Sequence, residues 1–267
     1  MLLKGEVMGK VIFITSFKGG AGKTTLSANL TGALTSLGKH VLAIDGDFGM
    51  RCLDIVLGLE SSTLFDAFDV LTGRCGIQSA VVRSCLGFDF LPAPVNYSGE
   101  NIDGEKASKL ISSLKKKYDY IIIDSSADRT PAYDVFANAA DCAIVVSLHQ
   151  QSSIRAAEKT AFVLAGMGIP DIRLVINQFY FSAAAKAELP RLTQLIMRTS
   201  VRLLGVVPYD RSLPADQEKG MIAFSKMTDN KPKYEKAVMN IAKRLTGESV
   251  ALLDGIYSKR KKEKDLY

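Results

Sequence analysis

A glycine-rich run between a predicted strand and a predicted helix restricts this chain to few folds. Residues 18–25 read KGGAGKTT and follow VIFITS, residues 11–16, an apolar β-branched segment typical of a buried strand. The apolar residues after the run recur at helical spacing: Leu26, Leu30, Ala33, Leu34 and Leu37. Glycines at such a turn let consecutive backbone N–H groups, together with the helix N-terminus, surround phosphate oxygens. The sequence therefore predicts a phosphate-binding loop.

Two side chains complete the chemistry of the loop. Lys23 is placed to reach the β- and γ-phosphates of a nucleotide, and the Thr24 hydroxyl is placed to ligate Mg²⁺. The expected nucleotide-binding residues of the loop are Gly19, Gly20, Ala21, Gly22, Lys23, Thr24 and Thr25. Lys18 stands where the first glycine of the common pattern would stand, so the loop is a variant.

Composition favours one large domain in the cytoplasm. The 267 residues are 47% hydrophobic, which is enough for a substantial core, although length alone also permits two domains. The four cysteines include no C-x-x-C pair, which indicates reduced thiols rather than disulfides or a zinc site. No apolar run approaches the roughly twenty residues that span a bilayer. The first residues lack the apolar stretch of a signal peptide, and Met8 is an alternative start.

Further strand-like runs alternate with helical patterns. The runs are residues 40–45, 88–93, 118–124, 142–147, 172–177 and 203–208, and the helical patterns include residues 106–117, 153–167, 189–199 and 233–246. This alternation predicts an α/β, single-domain P-loop fold with a mostly parallel central sheet flanked by helices on both faces. Ligands are then expected at the carboxyl ends of the strands.

A basic segment follows the last predicted helix. We expect residues 1–246 to form the domain and residues 247–267 to form a tail, because Gly247 stops the helix and SKRKKEK follows. The segment SKRKKEK, residues 258–264, carries five cations and one acid, so it contributes much of the chain's net charge of +6.

The loop resembles the deviant Walker A motif of the MinD/ParA family of P-loop ATPases, and Lys18 falls on the signature lysine of that motif. The resemblance implies ATP and Mg²⁺ as cofactors, hydrolysis of ATP to ADP and phosphate, and a homodimer that forms on ATP binding. It also implies that Lys18 acts in trans on the other subunit's phosphates, as an arginine finger does elsewhere. A regulatory protein is expected to stimulate hydrolysis. The expected role is positioning of the cell division site or a related cargo.

Three carboxylates follow predicted strands. The segment AIDGDFGMRCLD resembles switch I of the family, which implies that Asp47 orients the attacking water and Asp45 supports Mg²⁺. Asp124 ends another strand-like run and is expected to hold Mg²⁺ at the Walker B position.

The switch regions depart from the family pattern at three positions. Ser126 and Asp128 replace a proline and a glycine in switch II, and Cys52 replaces an asparagine in switch I. The proline loss adds backbone freedom, and the aspartate adds charge near the phosphates. A nucleotide-gated scaffold with little hydrolysis is therefore one alternative function.

The resemblance also implies adenine contacts and a partner-binding helix. Asn177 ends a predicted strand, and Pro208 and Asp210 lie in the turn after the next one; in the family these positions contact the base. The segment SSIRAAEK resembles the helix that contacts partner proteins, and Ser153 and Arg155 fit its pattern. An ordinary helix N-cap with exposed charges fits the same residues.

The end of the chain suggests a surface partner. Apolar residues near one helical face precede a cluster of cations: Val250, Leu253, Ile256 and Tyr257, then Lys259, Arg260, Lys261 and Lys262. This resembles a membrane-binding amphipathic helix, so an anionic membrane surface is the favoured partner, with peripheral localisation at the inner face of the cell membrane. DNA phosphates are a less favoured partner, and a solvated tail is a further alternative.

Other proteins with this loop suggest other functions. A ParA-type or flagellar-number-type positioning ATPase, acting through DNA or a protein scaffold, is the second alternative. An electron-transfer iron protein would need a cysteine shortly after Asp124, and residues 125–131 contain none.

Overall fold

The computed structural model describes residues 8–60, 62–225 and 231–257, and its centre is one sheet of eight strands. The strands are β1 (Lys10–Thr15), β2 (Val41–Gly46), β3 (Val82–Arg83), β4 (Asp89–Leu91), β5 (Tyr120–Ser125), β6 (Cys142–Leu148), β7 (Ile172–Phe179) and β8 (Arg202–Pro208). Their order across the sheet is β3-β4-β2-β5-β1-β6-β7-β8, and all neighbouring pairs are parallel except β3 and β4. The predicted, mostly parallel sheet is confirmed.

Helices cover both faces of the sheet. They are α1 (Lys23–Ser36), α2 (Leu53–Leu57), α3 (Ala67–Thr72), α4 (Ile77–Ala80), α5 (Gly104–Leu114), α6 (Pro131–Asn138), α7 (Gln151–Gly166), α8 (Phe181–Ala185), α9 (Leu192–Thr199), α10 (Leu213–Gln217) and α11 (Lys233–Leu245), with a 3₁₀ turn at Ala223–Ser225. α1 and α11 pack on the face that buries Ile12 and Ile14, and α5, α6, α7 and α9 on the face that buries Val11 and Phe13. Both faces of the central strands are therefore apolar, and the predicted layers are confirmed.

The register of the sheet brings the strand ends of the predicted site together. β5 lies between β1 and β2, so Asp124 pairs with Ile14 on one side and with Asp45 on the other. The loop after β1 consequently opens beside the carboxyl ends of β2 and β5. Ligands of parallel α/β sheets bind at this edge, and the fold places the candidate site there.

The structure contains short elements that hydrophobic periodicity did not predict. β3 has two residues, and α2, α3, α4, α8 and α10 have four to six residues each. Elements of this length are too short to display a strand or helix period. The predicted strand at residues 88–93 is limited to Asp89–Leu91, because the next residue, Pro92, has no N–H to donate to the sheet.

The segment after α11 packs against the domain. Leu253 and Ile256 are 4% and 2% exposed and belong to the apolar cores on opposite sides of the sheet. The ring of Tyr257 stacks on that of Phe181, with 5.2 Å between centroids. Residues 252–256 form turns rather than a helix. The predicted amphipathic helix face is therefore wrong for this segment, because the residues form turns and Leu253 and Ile256 are already buried.

The cations at the end of the chain, Lys259, Arg260, Lys261 and Lys262, lie outside the described residues. The boundary between domain and tail after residue 246 stays a prediction. Within the described ranges, no helix has the length and apolar character required to cross a membrane.

Replacing Ile256 by alanine should lower the free energy of unfolding by about 2–4 kcal/mol, because it removes a buried side chain from the core. Urea denaturation measures this change. Leu64→Ala is the matched control, since Leu64 is 98% exposed and its replacement should change stability by less than about 0.5 kcal/mol. Equal stability of the two variants would contradict the observed packing of residues 250–257.

Candidate functional site

The loop between β1 and α1 has the backbone geometry of an anion site. Gly20 and Gly22 have φ values of 72° and 89°, a region that favours glycine. A Cβ atom at Gly22 would collide with the side-chain nitrogen of Asn177, whereas one at Gly19 or Gly20 would meet nothing within 4 Å. Gly22 is the N-cap of α1 and provides no side-chain cap. The first N–H groups of α1 are therefore left without a side-chain acceptor beside an open loop, which suits phosphate oxygens.

A buried carboxylate lies behind this loop. Asp124, at the end of β5, is 1% exposed, and its Oδ1 accepts a hydrogen bond of 2.7 Å from Ser27 Oγ. The Thr24 hydroxyl lies close enough to this carboxyl to lower its pKa. Burial raises the pKa of Asp124 to about 6, although the Thr24 and Ser27 hydroxyls and the charge of Lys23 lower it. Lys23, at 8% exposed, is buried in the same cluster.

Asp45 fixes the chain that follows β2. Its Oδ1 accepts from the backbone N–H of Asp47 at 3.0 Å, and its Oδ2 accepts from the N–H of Leu53 at 3.0 Å. Burial raises the pKa of Asp45 well above its ordinary value, and the charge of Asp124 raises it further. Both oxygens of Asp45 therefore hold the predicted switch I and the start of α2 in place.

Asp47 is half-buried between charges of both signs. Burial raises the pKa of this carboxyl, the charge of Lys23 lowers it, and the charge of Asp128 raises it again. The predicted water-orienting carboxylate therefore lies within the electrostatic influence of Lys23, the predicted phosphate-binding lysine. Asp128, a departure from the family pattern, adds negative charge near Asp47.

The acidic groups do not form a complete metal cage. Among the described residues, no set of three or more His, Cys, Asp or Glu side chains is arranged to hold a metal ion. Mg²⁺ typically takes one or two protein carboxylates, keeps several waters and shares the remaining positions with substrate phosphates. Thr24 and Asp124, which lie next to each other beside the loop, fit such a partial ligand set.

The predicted adenine-binding residues line one pocket next to the loop. Asn177, Pro208 and Asp210 share this pocket with Gly22 and Thr25. The Asn177 amide donates to the Ala21 carbonyl at 2.9 Å and accepts from the Gln178 N–H at 2.9 Å. One N–H and one lone pair of Asn177 are left for a ligand.

Lys18 extends away from its own loop. Its Nζ donates to Gln150 Oε1 at 3.3 Å and to Ser152 Oγ at 3.1 Å, at the start of α7. Ser153 is buried and accepts from the N–H of Leu148 at 2.8 Å, so its hydroxyl supports the fold. Arg155 is exposed on the same helix. Of the two residues singled out on α7, only Arg155 is available to a partner.

The remaining departures in the switches have local hydrogen-bond partners. Ser126 Oγ donates to the carbonyl of Asp128 at 2.6 Å, which closes a tight turn before α6. Cys52 Sγ lies 3.6 Å from the carbonyl of Met50. Burial and the neighbouring carboxylates, Asp45 first, raise the pKa of Cys52, so it is a poor candidate for a reactive thiolate.

Several residues of the site were not predicted from the sequence. Ser27 lies one helical turn after Lys23, and this spacing is the only signal that it could reach Asp124. The contacts of Lys18 with Gln150 and Ser152 join residues more than 130 positions apart, and no local pattern indicates them. The same is true of Gln217, whose Nε2 donates to Thr25 Oγ1.

Comparison with known proteins gives one consistent family. Residues 12–224 match the family described as CbiA: CobQ/CobB/MinD/ParA nucleotide binding domain. The chain is 35% identical over 249 residues to the septum site-determining protein MinD of Synechocystis, covering 92% of this chain and 93% of that protein.

Solved structures agree with this assignment. A chain of the MinC:MinD cell division protein complex of Aquifex aeolicus has a TM-score of 0.84 and 33% identity, covering 91% of this chain and 98% of that one. MinD of Pyrococcus horikoshii complexed with Mg-ADP has a TM-score of 0.78 and 29% identity, covering 89% and 96%. This chain therefore belongs to the CobQ/CobB/MinD/ParA family of nucleotide-binding domains and is MinD-like within it.

Proposed function

We propose that this protein is a MinD-like, Mg²⁺-dependent ATPase that hydrolyses ATP to ADP and phosphate and acts as a dimerising switch in spatial positioning. One arrangement carries the proposal: the glycine loop opens onto Lys23 and the N-terminus of α1, and Asp124 lies behind it, hydrogen-bonded to Ser27 and next to Thr24. The relative from Pyrococcus horikoshii, which has the same fold, is complexed with Mg-ADP.

The phosphates of ATP bind at the loop, and its base binds in the pocket beside the loop. The N–H groups of the loop and Lys23 hold the β- and γ-phosphates, while Thr24 and Asp124 hold Mg²⁺. When bound, Mg²⁺ supplies positive charge that neutralises the phosphate oxygens. Asn177 and Asp210 provide polar atoms to the adenine edge in the adjoining pocket.

Hydrolysis requires a water molecule aligned with the γ-phosphate. Asp47 is half-buried, close to Lys23, and held by the hydrogen bond from its N–H to Asp45. A carboxylate fixed in this way can accept a hydrogen bond from the attacking water. Phosphoryl transfer depends chiefly on such positioning and on charge stabilisation.

Dimerisation requires Lys18 to change partners. In the single chain its ammonium group is held by two neutral oxygens at an exposed site, on Gln150 and Ser152. Phosphate oxygens of a second subunit are stronger acceptors, because the bond would then join opposite charges. We therefore assign Lys18 the trans role on the partner's ATP, and its release from α7 links dimerisation to the start of that helix.

The start of α7 is also the proposed contact for a regulatory protein. Gln151, Ser152 and Arg155 are exposed there, and the relative from Aquifex aeolicus is found in a complex with MinC. A protein bound at this position would contact the residues that hold Lys18. In this way the regulatory partner would directly affect the release of Lys18, on which dimerisation depends.

Asp47→Asn should slow release of phosphate from Mg-ATP by about 100-fold or more, because the amide loses the charge that aligns the water. The dissociation constant for ATP should change by less than about 3-fold, since Lys23 and the loop are intact. Rapid-quench measurement of phosphate release and calorimetric titration with ATP separate these two effects.

Asp128→Asn is the matched control, because it removes an equal charge from an exposed neighbour of Asp47. We expect this change to alter the rate by less than about 3-fold. If the two variants slow phosphate release equally, the loss of negative charge near the site explains the effect and Asp47 has no specific role. If Asp47→Asn leaves the rate unchanged, Asp47 does not take part in hydrolysis.

We assign membrane association to the basic cluster that follows Tyr257, because Leu253 and Ile256 are packed in the domain. Truncation after Tyr257 preserves this packing and removes the basic cluster. Each cation near an anionic surface contributes about 1 kcal/mol, and two tails in a dimer act together. Full-length protein should therefore sediment with phosphatidylglycerol vesicles in Mg-ATP but not in Mg-ADP, and the truncated protein in neither.

Adding duplex DNA in place of vesicles in the same assay tests the second candidate function, a ParA-type positioning ATPase that acts through DNA. If the full chain binds DNA in Mg-ATP and ignores vesicles, the membrane proposal fails and the ParA-type alternative replaces it. Vesicle binding that survives truncation would instead place the membrane contact on the folded domain.

A further inference from the structure

Gln217 joins the wall of the base pocket to the phosphate loop. It is the last residue of α10, and its Nε2 donates a hydrogen bond of 2.8 Å to Oγ1 of Thr25, in the first turn of α1. Both side chains line the pocket that also contains Gly22, Pro208 and Asp210. The bond therefore lies where the base side of the site meets its phosphate side.

The polarity of this bond determines what Thr25 can offer a ligand. A hydroxyl has one hydrogen to donate and two lone pairs to accept with. An amide nitrogen only donates, so Thr25 accepts in its bond with Gln217. The hydrogen of the Thr25 hydroxyl is not used in this bond and needs a different acceptor.

Thr25 differs in this respect from the other hydroxyl residues farther along α1. Thr31, Thr35 and Ser36 each donate to the carbonyl four residues earlier. The equivalent carbonyl for Thr25 is that of Ala21, which already accepts from Asn177 Nδ2 at 2.9 Å. Within the described part of the chain, no acceptor takes the Thr25 hydrogen, and the hydroxyl faces the pocket.

We propose that Gln217 is a positioning residue for the nucleotide: it holds the Thr25 oxygen so that the hydroxyl hydrogen points to a phosphate of a nucleoside di- or triphosphate. This inference rests on the proposed ATP binding. The phosphate concerned is the one nearest the base, because Thr25 lies on the side of the loop that borders the base pocket. Gln217 contacts Thr25 and acts on the nucleotide through it.

The test compares Gln217→Ala and Gln217→Glu by calorimetric titration of the full chain with Mg-ADP. The alanine variant should weaken binding about 3- to 10-fold, because the hydroxyl loses its orientation. The glutamate variant should weaken it by about 50-fold, because a carboxylate accepts the Thr25 hydrogen and turns the hydroxyl lone pairs toward the phosphate. Its added negative charge contributes to this loss.

Thr25→Val separates orientation from charge and from simple structural support. In that background Gln217→Ala should have no further effect on the affinity for Mg-ADP, and the remaining loss with Gln217→Glu measures its charge alone. Glu218→Ala, at the exposed neighbouring residue, should match wild type. Thermal unfolding without nucleotide establishes that each variant is folded.

Two results would overturn the inference in different ways. If Gln217→Ala weakens binding equally with threonine or valine at position 25, Gln217 does not act through Thr25, while ATP binding itself stands. If Gln217→Ala binds Mg-ADP as wild type does, Gln217 has no positioning role. Failure of the wild-type chain to bind Mg-ADP would instead overturn the proposed function, and this inference with it.

Discussion

Two buried carboxylates on neighbouring strands are the constraint around which the site is organised. Asp45 and Asp124 are register partners at the carboxyl ends of β2 and β5, and both are almost fully buried. Burial and mutual repulsion raise the pKa of Asp45, and burial raises that of Asp124. Such charges are costly in a protein interior unless hydrogen bonds or cations offset them. The N–H groups after β2, the hydroxyls of α1 and Lys23 meet part of that requirement, and Mg²⁺ meets the remainder in the proposed complex.

The elements around these carboxylates explain how binding of a nucleotide in the proposed site can change the conformation of neighbouring segments. Asp45 accepts hydrogen bonds from two backbone N–H groups of the predicted switch I, so in the proposed function a change at the phosphates would reach the start of α2 through these bonds. On the other side, Lys18 contacts the beginning of α7, which carries the exposed Arg155. The loop therefore contacts the proposed partner surface through Lys18 and acts on Asp47, the proposed catalytic carboxylate, through the charge of Lys23.

The sequence allowed the fold and the centre of the site to be predicted, because both depend on local patterns. The apolar strand β1, the glycines and the helical period of α1 are contiguous, and parallel strands bring Asp45 and Asp124 to the same edge. The contacts of Gln217 and Lys18 were not predictable, since they join segments far apart in the chain. Hydrophobic spacing also suggested a free amphipathic helix at residues 250–257, but tertiary packing buries Leu253 and Ile256, a choice that periodicity alone cannot reveal.

In the proposed dimer, ATP joins two chains through Lys18. Light scattering of the protein with Mg²⁺ and a non-hydrolysable ATP analogue, and separately with Mg-ADP, measures this association. We expect twice the single-chain mass of 29.0 kDa with the analogue and the single-chain mass with ADP. Lys18→Ala should bind the analogue yet remain monomeric, whereas Lys106→Ala, at an exposed lysine of α5, should dimerise. A wild-type chain that stays monomeric with the analogue, or a Lys18→Ala variant that dimerises fully, would show that ATP does not join the chains through Lys18.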